Sequence, residues 1–365
     1  MSAAAELRAL DIDTPALVLD LDRVEANIAL MAAFARSREI ALRPHAKTHK
    51  CAALGRLQLA AGAAGLCCAK LGEAEALAAQ GLGPLLITSP IVGARKLARL
   101  ARLALHAPGL AVVVDDVAQA EALAMAAAGP VVDVLVDVDP GMARTGCATI
   151  DAALAVARAV DGAPNLRLRG VQCYAGTIQH LADAGTRAEA ARDVHRHLLA
   201  TLDALAAAEL PLEVVTGSGT GTFALDAGAG LFTELQVGSY LVMDDEYAAN
   251  APLTADEPHF ARAAFLLTQV VSANHEGLAT VDAGSKSLSF DGPLPSVRAP
   301  YGLVYERAGD EFGKVAGVAA PAVGERVVLA LPHCDPTINL HDEFVCVRDA
   351  EVVDRWPITA RGRAA

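Results

Sequence analysis

A chain of 365 residues is too long for one small domain and suits a barrel with a smaller companion unit. Its 53% hydrophobic and 20% charged composition is that of a compact globule and excludes intrinsic disorder. A formal net charge of −13 argues against nucleic acid and anionic membranes as partners, while allowing a local cationic pocket for a phosphate.

No basic-then-apolar leader opens the sequence. The first apolar run lies between Thr14 and Asp22, carries acids and reads as a strand. Ala-rich tracts such as Ala122–Ala128 read as helix and are too short and too charged at their borders to span a membrane. The cysteines at 51, 67, 68, 147, 173, 334 and 346 form neither an even framework nor a CxxC pair. Reduced, mostly core thiols in a cytoplasmic protein are therefore expected.

In chain order, β-type runs fall at Pro15–Leu19, Ile40–His45, Gly65–Lys70, Pro84–Thr88, Leu110–Val114, Val131–Val138, Leu168–Tyr174, Leu212–Thr216 and Glu234–Tyr240. Segments with helical apolar spacing lie between most of them, as at Val24–Phe34, Ile150–Val160 and Ala190–Ala207. Strands alternating with helices predict a parallel sheet, and nine runs are one more than a closed eight-stranded barrel needs. After residue 245 the pattern changes. Phe265–Ser272, Leu278–Asp282, Arg326–Leu331, Glu343–Val347 and Val352–Trp356 read as strands between Gly, Pro and Asp turns, an all-β second unit. The surplus run could join it from either end of the barrel segment.

Catalytic groups of such barrels sit beyond the C-terminal ends of the strands. Five of the predicted strand ends carry reactive or phosphate-friendly residues: Arg43–Lys50, Asp137–Arg144, Gln172–Gly176 with His180 beyond, Thr216–Thr222 and Gly238–Tyr240. Lys47 is one of six lysines, and an imine-forming catalyst needs a primary amine that guanidinium cannot supply. Lys47 and Lys50 read equally as solvated charges or anion binders. Thr216–Thr222 alternates glycines with hydroxyls, which suits phosphate, or else is an ordinary turn. In Leu331–Thr337, an extended backbone would turn His333 and Asp335 to one face, where imidazole and carboxylate suit Mn, Mg, Co or Zn. A hydrogen-bonded turn is the bland alternative. His195, His197, His106, His259, His275 and His341 read as solvated, and Asp244, Asp245 and Glu246 as a turn cap or as groups behind a metal site.

These motifs together resemble the D-threonine aldolase group, which is grouped with D-serine dehydratases on the fold of alanine racemase N-terminal regions. The resemblance runs from about Asp13 to Arg361 and rests on RPHAKTHK, DPGMARTG, the Tyr174 segment, GSGTGTF, QVGSYLVMD, DAGSKSLS and HCDPTINLHD. The stretch from Asp342 to Gly362 looks especially like the 3-hydroxy-D-aspartate aldolase branch.

The resemblance implies an α/β chain: a pyridoxal-phosphate (PLP) TIM (β/α)8 barrel at 22–245, then a mostly-β domain at 246–365 joined by the N-terminal strand of 1–21. Lys47 would bind the coenzyme as an imine, Arg144 would approach its 3-hydroxyl and Tyr174 its ring. Ser218, Gly219, Thr220, Gly238 and Ser239 would hold the phosphate, and His333 with Asp335 a divalent metal. His180 is the expected base. The implied reaction is retro-aldol cleavage of a D-3-hydroxy-amino acid to glycine and an aldehyde, by a homodimer. A dehydratase giving keto acid and ammonium is the first alternative, although related D-serine dehydratases tend to carry Cys in place of Asp335. A coenzyme carrier without turnover is the second, although such relatives lack the β-domain. Two departures from the aldolase pattern, Phe312 for His and Ala69 for Gln, bear on the substrate side chain.

Overall fold

The computed structural model describes residues 3–127, 129, 131–254 and 257–365. Ala128, the end of one predicted helical tract, lies outside them; the helix there spans Val117–Ala126. The first strand is β1 (Ala16–Asp20). Eight short strands follow: β2 (Ala41–Leu42), β3 (Leu66–Cys68), β4 (Leu85–Ile87), β5 (Ala111–Val114), β6 (Val132–Asp137), β7 (Leu166–Cys173), β8 (Val214–Gly217) and β9 (Glu234–Leu235). They pair in parallel in the order β2-β9-β8-β7-β6-β5-β4-β3. The ring closes just past β2, where His45 bridges Cys67 in parallel and the Ala46 and Cys67 amides donate to the Cys67 and Pro44 carbonyls at 2.8 Å. Lys47 therefore follows the closing seam directly.

Eight strands follow the barrel: β10 (Ala264–His275), β11 (Leu278–Val281), β12 (Val297–Ala299), β13 (Val304–Arg307), β14 (Gly313–Ala316), β15 (Arg326–Ala330), β16 (Glu343–Arg348) and β17 (Glu351–Pro357). With β1 they make the second sheet, in which β1 runs antiparallel to β10 and parallel to β16. The surplus N-terminal run is thus a central strand of the sheet that the far end of the chain completes. Period-two alternation explains its place. Leu17 and Leu19 enter the main core, while Val18 packs with Phe265, Leu267 and Val328 on the other face.

The structure differs from the sequence reading in four places. β9 ends at Leu235, and Ser239–Leu241 is a single 3-10 turn. β12, β13 and β14 were unforeseen, because they are short and largely exposed, with Tyr305 and Val315 among their few fully buried side chains. Cys334–Ile338 is a helix, so the extended-strand argument for His333 and Asp335 does not hold; Pro336 sits in its first turn, where a missing N–H costs nothing. Two histidines expected to be solvated are bonded within the fold: His195 Nε2 lies 2.7 Å from Asp226 Oδ1, and His341 Nε2 donates to the Ser287 carbonyl at 2.9 Å. All seven cysteines are free and buried. Among the described residues no helix is long and apolar enough to cross a membrane.

Leu19 is fully buried between the two units, whereas Val353 is 50% exposed. Denaturant unfolding should show Leu19→Ala destabilising the protein by about 3 kcal/mol, while Val353→Ala changes it by less than about 0.5 kcal/mol.

Candidate active site

The strand ends at the mouth of the barrel surround a cavity of about 470 Å³. His45 and Lys47 line it after β2, Ala69 and Lys70 after β3, Thr88 and Ser89 after β4, Arg144 and Thr145 after β6, Gln172 and Tyr174 on or after β7, and Gln236 after β9. The Arg144 guanidinium lies over the Tyr174 ring, 5.6 Å from its centroid. Asp139 holds the loop that carries Arg144, accepting from the amides of Gly141 (3.0 Å) and Met142 (2.7 Å).

Lys47 opens a tight turn that ends at Lys50, whose φ is +50°. The Lys50 amide closes the turn onto the Ala46 carbonyl at 2.7 Å. Lys47 Nζ stands 3.0 Å from Asp335 Oδ2, so the barrel turn and the short helix of the β-unit meet in an ion pair. That carboxylate raises the lysine pKa, against burial, which lowers it. For Asp335 itself burial works upward, but Lys47 and then His333 outweigh it and hold the acid well below the usual carboxylate range.

The two histidines flanking Lys47 are neutral. Burial, then the Lys47 charge, depresses His45. Because the Lys47 amide donates to His45 Nδ1 (3.4 Å), Nε2 carries the proton and donates to Thr88 Oγ1 (3.0 Å), which donates on to the Cys68 carbonyl. His49 is lowered to about 4 by burial. It accepts from the Cys51 amide on Nδ1 and donates from Nε2 to Gln58, which donates to the Tyr240 hydroxyl. Both rings fix the lysine turn without adding charge.

The glycine-and-hydroxyl loop after β8 lies against Gln179. Gln179 accepts from the Gly221 amide (3.0 Å), and a Cβ at Gly219 or Gly221 would collide with it. Ser218 holds φ +73°, and Thr220 Oγ1 accepts from the Tyr240 amide, tying this loop to Gly238–Leu241. A Cβ on Gly238 would meet Thr48, whose buried hydroxyl lies beside the Asp335 carboxylate. The Gly238 turn and the Thr48 hydroxyl lie beside Lys47, and Arg144 lines the same cavity as that lysine, a set that fits the phosphate, amine-reactive aldehyde and ring oxygen of PLP.

On the side of the β-unit, His333 Nδ1 donates to Asp291 Oδ2 at 3.0 Å, which leaves Nε2 as a free donor atom for a metal. Glu246 spans His180 and His333, with its oxygens 3.5 Å and 3.8 Å from their Nδ1 atoms. The His180 ring packs 4.4 Å from Tyr247 and 6.0 Å from His333. Burial lowers the His180 pKa, Glu246 opposes and His333 reinforces it; among the described residues its buried Nδ1 has no hydrogen-bond partner closer than that Glu246 contact. Among the described residues no three His, Cys, Asp or Glu side chains already converge on one metal position. His333 and Asp335 fit a cation bound by two protein donors, its other positions left to water and substrate. Asp244 caps Asp245–Ala248 through the Tyr247 amide and also accepts from the Cys334 amide, joining that helix to the His333 segment.

Lys47, Asp335, His333, His180 and Ser239 are thus gathered at one place, with Ser239 Oγ 3.4 Å from Asp335 Oδ1. Arg144 and Tyr174 share the cavity with Lys47. Of the two departures from the aldolase pattern, Ala69 lines this cavity, whereas Phe312 is 47% exposed beside β14. Sequence reasoning placed His45 and Gln172 within the reactive strand ends without giving either a role, and missed Gln236 and Tyr247. Gln236 also lies at a strand end, a signal that could have found it; nothing marks Tyr247.

Residues 19–246 match the family described as alanine racemase, N-terminal domain, and residues 263–347 a putative serine dehydratase domain. The fold and site thus define a barrel protein of the alanine-racemase type with an added β-domain. The chain is 40% identical to a D-threonine aldolase of Arthrobacter sp. over 96% of its length and 93% of that protein. It is 37% identical to a 3-hydroxy-D-aspartate aldolase of Paracoccus denitrificans (97% and 93% covered). Its fold superposes on the crystal structure of D-threonine aldolase from Filomicrobium marinum with a TM-score of 0.94, at 43% identity and 96% coverage of both chains. The chain belongs to the D-threonine aldolase family.

Asp137, at the end of β6, accepts from Gln172 Nε2 and Thr145 Oγ1, yet burial raises its pKa from 3.8 to about 6. Between those values the folded protein keeps a proton that the unfolded chain releases, so this group's contribution to stability falls as pH rises. Asp137→Asn should therefore stabilise the protein by roughly 3 kcal/mol at pH 8 and by less than about 1 kcal/mol at pH 4, read from denaturant melts at both pH values.

Proposed function

We propose that the protein cleaves D-3-hydroxy-amino acids, D-threonine or D-3-hydroxyaspartate among them, to glycine and an aldehyde, using PLP and a divalent metal. The observation that carries this reading is the 3.0 Å contact of Lys47 Nζ with Asp335 Oδ2, which sets the coenzyme-binding amine beside a metal-binding carboxylate. Lys47 holds the coenzyme covalently. The loop of Ser218, Gly219 and Thr220 and the turn of Gly238 and Ser239 hold its phosphate, with Thr48 adding a hydroxyl. Arg144 faces the ring hydroxyl and Tyr174 the ring. Bound PLP supplies an electron sink for the electrons released when Cα–Cβ breaks.

Breaking that bond turns the β-hydroxyl into a carbonyl and requires removal of its proton. His180 is the base. Its depressed pKa keeps it neutral at pH 7, and Glu246 then stabilises the imidazolium it becomes. A Mn, Mg, Co or Zn ion on His333 and Asp335 would lower the pKa of that hydroxyl. Asp335 favours cleavage over dehydration, because the resembling D-serine dehydratases carry Cys there. We take the active form to be a homodimer, with twice the chain mass in light scattering.

Incubation with PLP, Mn and a panel of D- and L-3-hydroxy-amino acids should yield glycine and aldehyde from the D-isomers. Ammonium with keto acid would instead establish a dehydratase, and turnover confined to L-isomers would overturn the stereochemistry. Lys47→Ala should abolish both turnover and borohydride-fixed coenzyme. Chelation, or His333→Ala, should lower kcat at least 100-fold while borohydride still labels Lys47. His180→Ala should lower kcat by a similar factor with metal and coenzyme retained.

A further inference from the structure

Lys50 does not take part in the chemistry just assigned, yet it is more elaborately held than Lys47. Its ammonium, 14% exposed, lies 3.2 Å from Glu73 Oε1 and donates to Asn339 Oδ1 at 2.9 Å. Glu73 is itself buried, and its other oxygen accepts from the Ala69 amide at 2.7 Å, fixing the neighbouring strand end. Asn339 is the C-cap of the Cys334–Ile338 helix, and its amide returns to the Asp335 carbonyl. The Lys50 carbonyl accepts from the Ala360 amide, so the last residues of the chain also fold back onto the same turn.

Two lysines three positions apart on one barrel turn therefore reach two residues four positions apart on one helix of the β-unit. The Lys47–Asp335 link is exposed on its lysine side and opens whenever that amine is occupied elsewhere. The Lys50–Asn339 link is partly buried, backed by a buried carboxylate, and free of that demand. We infer that Lys50, Glu73 and Asn339 form an inter-domain clamp that holds the Asp335-bearing helix in place once Lys47 is engaged, making all three positioning residues for the cation site. This rests on the metal reading given above.

A clamp of this kind acts on the cation and on the order of the helix, and leaves coenzyme attachment alone. Lys50→Met would strand the Glu73 charge in the interior and so tests folding as much as positioning. Asn339→Ala removes the acceptor on the far side, which also takes the Gly362 amide at 3.4 Å, and Asn339→Asp supplies an equivalent oxygen to both donors. In the coenzyme-loaded protein, Mn(II) half-saturation measured by electron paramagnetic resonance should weaken about ten-fold in Asn339→Ala. Half-saturation by coenzyme should stay within about two-fold, and Asn339→Asp should restore the Mn(II) value. In the same holoprotein without added metal, amide exchange across residues 333–340 should be several-fold faster in Asn339→Ala and normal in Asn339→Asp. Unchanged exchange in Asn339→Ala overturns the clamp, as does an exchange or Mn(II) defect that Asn339→Asp leaves uncorrected. Failure of the unsubstituted protein to bind Mn(II) defeats the metal reading instead, and exchange then decides the clamp by itself.

Discussion

The site depends on one ion pair across two structural units, Lys47 with Asp335. Each partner alone would be a burdened charge in a half-buried place, and burial works against the charged form of both. Together they remain ionised. The pairing also sets their reactivity. A lysine held by a carboxylate is protonated and cannot attack a carbonyl, and a carboxylate held by an ammonium is a poor metal ligand. In the proposed reading, occupation of the amine by coenzyme frees the acid, so the two cofactor sites are coupled through a single contact.

Around that pair the protein uses dipoles more than charges. His45 and His49 are both neutral and end in hydroxyl or amide partners. Gln172 joins Asp137 to Gln236, and Gln236 donates to Thr216, so a string of side-chain amides crosses the barrel mouth without a net charge. Such strings orient the functional groups, and they leave Lys47, Lys70 and Arg144 as the positive side chains that line the cavity. In a chain of net charge −13 this local balance is what makes an anionic ligand acceptable.

How much of this was legible in the sequence follows from the range of each interaction. The barrel strands and the reactive strand ends were readable because period, length and turn chemistry are local. The resemblance placed β1 with the β-domain, which periodicity had left open; in the structure β1 pairs with Ala264–Leu267 of β10. The His333–Asp335 helix was misread, although Pro336 offered a signal for a helical first turn. The pairing of His195 with Asp226, and of Lys50 with Glu73 and Asn339, could not be read, because each joins residues far apart in sequence. Solvated is the reasonable default for a polar residue on an amphipathic helix, and only tertiary contact overrides it.

The placement of His180 shows what such contacts cost. Arg187, 1% exposed, directs its guanidinium to the carbonyls of Leu181, Ala182 and Ala251, and burial lowers its pKa against the opposing charges of Glu257 and Asp183. Asn250 adds a bond to the Gln179 carbonyl at 2.8 Å. A buried cation is a poor way to gain stability. Its geometry, however, ties the loop after β7 to the segment after Asp245–Ala248 on both sides of His180. Glu246 and Tyr247 are carried on that helix and the Gly219–Gly221 loop rests on Gln179, so a shift in this junction would move His180, Glu246 and that loop together. The buried guanidinium is best understood as fixing that common frame, and a neutral side chain of the same volume could fill the space without holding the three carbonyls.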